Sequence, residues 1–230
     1  MRIPILFSLG LTGLTLAACQ AEAPAPDWWD MEIPSQDFVV LPCGSAEATA
    51  PCAMVVAGGK RILAGAPAGV VESLRKVDLK QLDGVLIFSL HAENIEGLDE
   101  VRNRSWLLGR SQPLSVVGPS GLGDVVAGLN LTYEQADALY VVENGIPPGG
   151  YDAAVLVSVE AAPGDLVFDT GDLSISKTRQ GFAFEYRGAP HLKLCLTSDA
   201  ATEFDTEIVM ELGCSARSWP LTEPVFMLEN

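Results

Sequence analysis

Five cysteines carry the first chemistry that can be read from this 230-residue chain. Leu16-Ala17-Ala18-Cys19 places small residues directly before a thiol. That is the pattern lipoprotein signal peptidase needs: the thiol receives a diacylglycerol, and cleavage leaves Cys19 as an acylated N-terminus. An ordinary signal peptide with a chance cysteine is the alternative. The other four, Cys43, Cys52, Cys195 and Cys214, are even in number, and an exported protein meets an oxidising compartment, so disulfides are expected. Cys43 and Cys52 flank the turn-rich GSAEATAP, where a bond would staple a hairpin. Cys195 with Cys214 is the natural second pair. A zinc reading is weak, because no pair has CxxC spacing and the chain holds 2 histidines. Paired cysteines also leave no thiolate for nucleophilic chemistry.

The segments around Cys19 agree with export. Arg2 supplies a positive n-region, and Ile3 to Leu16 form an apolar stretch too short for a confident membrane span. Gln20 to Pro26 (QAEAPAP) reads as a flexible tether. The expected division is a signal peptide over 1–18, a lipidated N-terminus and tether over 19–34, and one domain over 35–230. Loss of Arg2 with the signal takes the formal net charge from −16 to −17. Such a surface argues against nucleic acid, whose phosphates demand basic groups, and against electrostatic adhesion to an anionic bilayer. The membrane partner is therefore reached through the N-terminal lipid. Gln20 after the cysteine lacks the aspartate linked with inner-membrane retention in enteric bacteria, so the periplasmic side of the outer membrane is favoured.

The remaining chain alternates in character. Asp37 to Leu41 and Ala53 to Ala57 are short β-like runs, and Gly58-Gly59 turns the second into Arg61 to Leu63. Val70 to Lys76 reads as a short helix, Gly84 to Leu90 as a buried strand, and Asn94 to Val101 as a turn into a helix. Pro113 to Val117 is a strand ended by Gly118-Pro119-Ser120-Gly121. Leu122 to Leu129 and Tyr133 to Tyr140 read as two helices. Strands follow at Ala154 to Glu160, Leu166 to Phe168, Gly181 to Tyr186 and Leu192 to Leu196, the last two a hairpin turned by Arg187-Gly188-Ala189-Pro190. The predicted class is α/β, sheets covered by helices in one domain.

From about residue 37 to 200 the chain resembles the metallo-β-lactamase fold, nearest its ribonuclease Z-like and arylsulfatase-like branch. Leu82-Asp83-Gly84-Val85-Leu86-Ile87-Phe88 is similar to the strand that enters the family's Thr-His-x-His-x-Asp-His motif. Ser89-Leu90-His91-Ala92-Glu93-Asn94 stands in the motif's place, and Ile95-Glu96-Gly97-Leu98 matches the Ile-x-Gly-Leu that follows. Pro113-Leu114-Ser115-Val116-Val117-Gly118-Pro119-Ser120-Gly121 resembles a later segment, and Gly181 to Ala200 a hairpin ending near Asp199. The resemblance implies an αββα sandwich, here C-terminally shortened, and two metal ions that activate a bridging water.

The departures fall on the ligands. In that frame Ser89 and Asn94 stand where the first and third motif histidines belong. His91 keeps the middle one, and Glu93 replaces the motif aspartate. Ala64 takes the place of a strand-end aspartate. No histidine lies shortly before Gly181, and His191 sits at a hairpin turn where the family places no ligand. Asp199 is the counterpart of the metal-bridging aspartate; the final ligand histidine has none. His91, Glu93 and Asp199 therefore remain as vestigial candidates for one zinc or other divalent metal, with Asn94 a weak amide donor. Each also has an ordinary account: a hydrogen-bonded histidine, a helix-capping glutamate and a turn aspartate. Ser89, His91 and Asp199 have the residue types of a hydrolytic triad, but Ser89 and His91 are two apart on one chain and no GxSxG elbow occurs. The Gly-Pro-Ser-Gly turn lacks a P-loop lysine and reads as structural.

The sequence thus supports a non-catalytic envelope lipoprotein that binds or scaffolds an unidentified protein or small molecule, with no catalytic residues and no cofactor. The alternative is a hydrolase of an ester or phosphodiester that uses a reduced metal site.

Overall fold

The computed structural model of the protein describes residues 28–43, 51–196, 210–214, 219 and 221–228. Cys19, the tether and Asp199 lie outside the described residues. Contacts divide the chain into Met1–Met31 and Glu32–Asn230. In the first unit the Trp28 and Trp29 rings lie 5.6 Å apart.

The second unit is an α/β sandwich of two sheets. The larger runs in the order β12-β1-β2-β3-β4-β5-β6. Its members are β1 (Phe38–Pro42), β2 (Ala53–Ala57), β3 (Lys60–Ala64), β4 (Gly84–Leu86), β5 (Leu114–Gly118), β6 (Leu156–Glu160) and β12 (Val225–Phe226). β1, β2 and β3 are antiparallel, whereas β3 to β6 run parallel. Gly58 and Gly59 take positive φ, 60° and 74°, and make the tight turn into β3. Parallel strands need crossovers, supplied by α1 (Lys76–Lys80), by α2 (Ala92–Ile95) with α3 (Leu98–Leu107), and by α4 (Leu122–Asn144). The smaller sheet, β11-β10-β9-β8-β7, joins β7 (Leu166–Asp169), β8 (Leu173–Lys177), β9 (Gly181–Tyr186), β10 (Ala189–Cys195) and β11 (Met210–Leu212).

Side-chain alternation decides where each sheet is covered. Phe38, Val40, Val55, Ile62, Leu86 and Val117 of the large sheet form one core with Leu173, Ile175, Phe182, Phe184, Leu192 and Leu194 of the small one. The residues of opposite parity, Val39, Leu41, Met54, Leu63, Val85 and Val116, are equally buried. From β1 to β5 the large sheet is therefore covered on both faces, which is why those strands read as largely apolar runs, whereas edge strand β6 leaves Val157 and Val159 exposed. The small sheet alternates instead. Ser174, Ser176 and Ala183 are half-buried and Glu185 is exposed, so its outer face meets solvent. Among the described residues every helix precedes β6, so the helical cover belongs to the large sheet, and the small sheet's polar outer face needs none.

Local readings shift in several places. The two helices expected over 122–140 are one, α4. The amide of Asn130, in the expected gap, bonds both the N–H (3.0 Å) and the C=O (2.9 Å) of Leu156. The expected helix over 70–76 is a 3₁₀ turn at Val70–Ser73 followed by α1. The strand at 84–90 ends its regular pairing at Leu86. β8 was not foreseen, although LSISK alternates like a half-covered strand.

Cross-links and buried ions hold the layers. Cys43–Cys52 closes the β1–β2 hairpin with Cα atoms 5.4 Å apart, and Cys195–Cys214 joins β10 to the chain after β11 at 4.9 Å. Asp78, buried on α1, accepts from Arg61 Nε at 2.9 Å and Arg75 Nε at 2.6 Å. Cys195 and Cys214 are 19 apart in sequence, and closing a loop of that size stabilises by about 3 kcal/mol through the unfolded chain. Replacing both by alanine is expected to lower the unfolding free energy by about that amount in urea titration. An unchanged value would mean that the bridge does not constrain the chain.

Candidate functional site

The loop after β4 carries the residues singled out by the motif, and the fold sets it down firmly. Gly97 permits this: a Cβ there would meet the Pro67 carbonyl oxygen at 2.1 Å. The Gly97 N–H instead donates to the Ala66 carbonyl at 2.8 Å, and the Ala66 N–H donates to the Asn94 carbonyl at 3.2 Å. α2 is thereby stitched to the turn that leaves β3.

Within this frame the loop is bonded internally, one atom of Asn94 excepted. Asn94 is buried, and its Nδ2 donates to Ser89 Oγ at 3.1 Å. The same hydroxyl accepts the His91 N–H at 3.3 Å. Ser89 and Asn94, the two positions where the resemblance expects histidines, are thus brought together and bonded to each other. His91 and Glu93 are exposed. His91 begins α2 with extended backbone, and its side chain makes no capping bond. Asn94 Oδ1 is buried without a protein partner.

The other expected positions offer little to a metal. Ala64 is fully buried at the end of β3 and carries no donor. The segment before Gly181 carries Lys177, a buried lysine that sequence reasoning passed over. Its Nζ donates to the carbonyls of Thr178 at 2.8 Å and Gly181 at 3.3 Å and lies 5.0 Å from the Phe182 ring centre. Burial pushes its pKa down. His191 packs edge-on to Phe38 at 5.8 Å, its Nδ1 buried without a partner. Among the described residues no three His, Cys, Asp or Glu side chains cluster as a metal set. The donor set on these residues does not fit a dinuclear centre.

The neighbouring turn at the end of β5 is closed as well. Glu160, at the end of β6, accepts the N–H groups of Gly121 at 2.9 Å and Gly123 at 3.0 Å. Its carboxylate occupies the N-terminus of α4, where amide groups attract negative charge. Those two bonds, Gly123 first, hold its pKa below the usual carboxylate value. The Gly-Pro-Ser-Gly turn therefore already has its anion, a partner that nothing local in the sequence announces.

No family model matches the chain. Ribonuclease Z of Clostridium tetani (strain Massachusetts / E88) is 31% identical over 75 residues, 32% of this chain and 24% of that protein. Ribonuclease Z of Alkaliphilus oremlandii (strain OhILAs) is 30% identical over 79 residues, 34% and 25% of the two chains. The matched stretch thus spans about a quarter of those relatives. Among solved structures, the metallo-β-lactamase fold protein YhfI of Bacillus subtilis has a TM-score of 0.49 at 14% identity, covering 70% of this chain and 63% of that one. The short form of human tRNase Z has a TM-score of 0.48 at 18% identity, covering 66% of each chain.

Glu160 generates a pH prediction. Its folded pKa is lowered, so its contribution to stability is complete above the unfolded carboxylate pKa and is lost as pH falls through the folded value. Glu160→Gln should lower the urea midpoint at neutral pH, and the gap to wild type should close in acid. A gap that persists at low pH would show that the carboxylate charge is not what caps α4.

Proposed function

We propose that the protein is an exported lipoprotein, acylated at Cys19 and held on the periplasmic side of the envelope, with the outer membrane favoured. We propose further that its domain is a degenerate metallo-β-lactamase-like unit that binds or scaffolds rather than catalyses. The observation that carries this reading is the Ser89–Asn94 hydrogen bond. Ser89 and Asn94 bond each other where the resemblance asks for two histidines, with Asn94 Oδ1 left unpartnered, while His91 and Glu93 face solvent. The likeness to two ribonucleases Z supports the second reading, hydrolysis of an ester or phosphodiester with a reduced site at His91, Glu93 and Asp199.

Metal content separates the two. The full chain, purified without a histidine tag and incubated with zinc, manganese or iron, should retain far less than one ion per chain after gel filtration. One tightly held ion, released in Asp199→Ala or His91→Ala, would overturn the non-catalytic reading. The anchor is tested on its own: Cys19→Ala should move the protein from the membrane fraction to the soluble fraction of cells. Retention of that variant in the membrane fraction would rule out acylation at Cys19 as the anchor.

A further inference from the structure

α4 wears its polarity inside out. With about 3.6 residues per turn, Leu122, Val126, Asn130, Tyr133 and Asp137 point inward. The middle of that face is polar and busy: Asn130 bonds Leu156, the Tyr133 hydroxyl bonds Asp99, and Asp137 pairs with Arg102, while Tyr140 and Val141 pack against Trp106, Ala153 and Ala154 beyond it. The opposite face carries large apolar side chains in solvent. Leu131 is 73% exposed, Leu139 61% and Val142 84%, with exposed Gln135 and Ala138 among them and exposed Ala127 and Gly128 one turn before. An ordinary surface helix buries side chains of this kind, and an exposed apolar cluster marks a binding surface.

The charges around this face identify its occupant. From residue 111 to residue 176, a stretch that includes all of α4, the chain contains no lysine or arginine and 9 acidic residues. Asp124, Glu134 and Glu143 are exposed on α4, with Glu134 and Glu143 on opposite borders of the Leu131–Val142 stripe. Anionic headgroups would be repelled. A second copy would bring the same carboxylates against these. We propose that the outward face of α4 docks a cationic amphipathic segment of another protein, its apolar side chains on Leu131, Leu139 and Val142 and its lysines or arginines beside Glu134 and Glu143. This deepens the binding role proposed above by naming a surface and a partner class.

The probe is a synthetic lysine–leucine amphipathic helical peptide, titrated against the full chain in nanodiscs of zwitterionic lipid and followed by fluorescence anisotropy. Wild type should bind. L131D/V142D and E134Q/E143Q should each weaken binding by about tenfold, and salt should weaken it further in wild type. All four side chains lie on the exposed helix surface, and circular dichroism checks that the variants stay folded. Glu185→Gln, on the small sheet, should bind like wild type. Equal affinity in wild type and the α4 variants, or equal loss in Glu185→Gln, would overturn the proposal by reducing it to general acidity. Dimerisation of wild type that Val142→Asp abolishes would overturn it in favour of a copy–copy interface. None of these outcomes touches the metal measurement, so this surface and the non-catalytic reading fail separately.

Discussion

The ion pair between Arg102 of α3 and Asp137 of α4 fixes how the helical layer faces the sheet. Both side chains are buried, with Arg102 Nη1 3.1 Å from Asp137 Oδ1 and a second contact between Nη2 and Oδ2. Buried pairs of this kind contribute little net stability against apolar substitutes but resist any arrangement that separates them. Rotating α4 to bury Leu131 and Val142 would carry Asp137 into solvent and strand a guanidinium in the interior. The same rotation would pull Asn130 off the Leu156 backbone and Tyr133 off Asp99. Three polar contacts therefore dictate that the apolar face looks outward.

Asn130 does a second job in that arrangement. β6 is the edge of the large sheet, and an edge strand offers free N–H and C=O groups to any passing strand. The amide bonds both groups of Leu156, much as a neighbouring strand would. Glu160 at the end of the same strand adds a charge. The edge is thus paired at Leu156, whereas Val157 and Val159 of the same strand stay exposed.

The carboxyl ends of parallel strands are where open α/β sheets ordinarily receive ligands, because loops and helix N-termini converge there. Here two such ends are closed by the chain itself: β4 by Ser89 with Asn94, and β5 by Glu160 on the Gly121 and Gly123 amides. The sequence displayed the loops but not their closure. Ser89 and Asn94 are five apart, and their bond depends on α2 being pinned to the β3 turn through Gly97. Glu160 is 39 residues from Gly121. Most strands were legible because pattern encodes them: continuous apolar runs where both faces are covered, alternation in the β9–β10 hairpin, and a glycine pair between β2 and β3; β8, with the same alternation in five residues, was passed over. The continuity of α4 was not legible, since an asparagine reads as a breaker until a strand edge is there to take its amide. Lys177 escaped for a similar reason, its burial being set by the β8–β9 turn that carries its carbonyl partners.

The strong acidity and the outward apolar face make sense together. An exposed stripe of leucine and valine invites self-association, and a formal charge of −16 opposes it wherever two copies approach. For an isologous contact through α4, each copy would set Asp124, Glu134 and Glu143 against the same residues of its mate, with no lysine or arginine anywhere in the stretch to relieve them. The same field draws in a cation. Charge of one sign around an apolar helix face therefore acts as a filter: it keeps the surface available, excludes copies and anionic lipid, and admits the partner that carries the opposite sign.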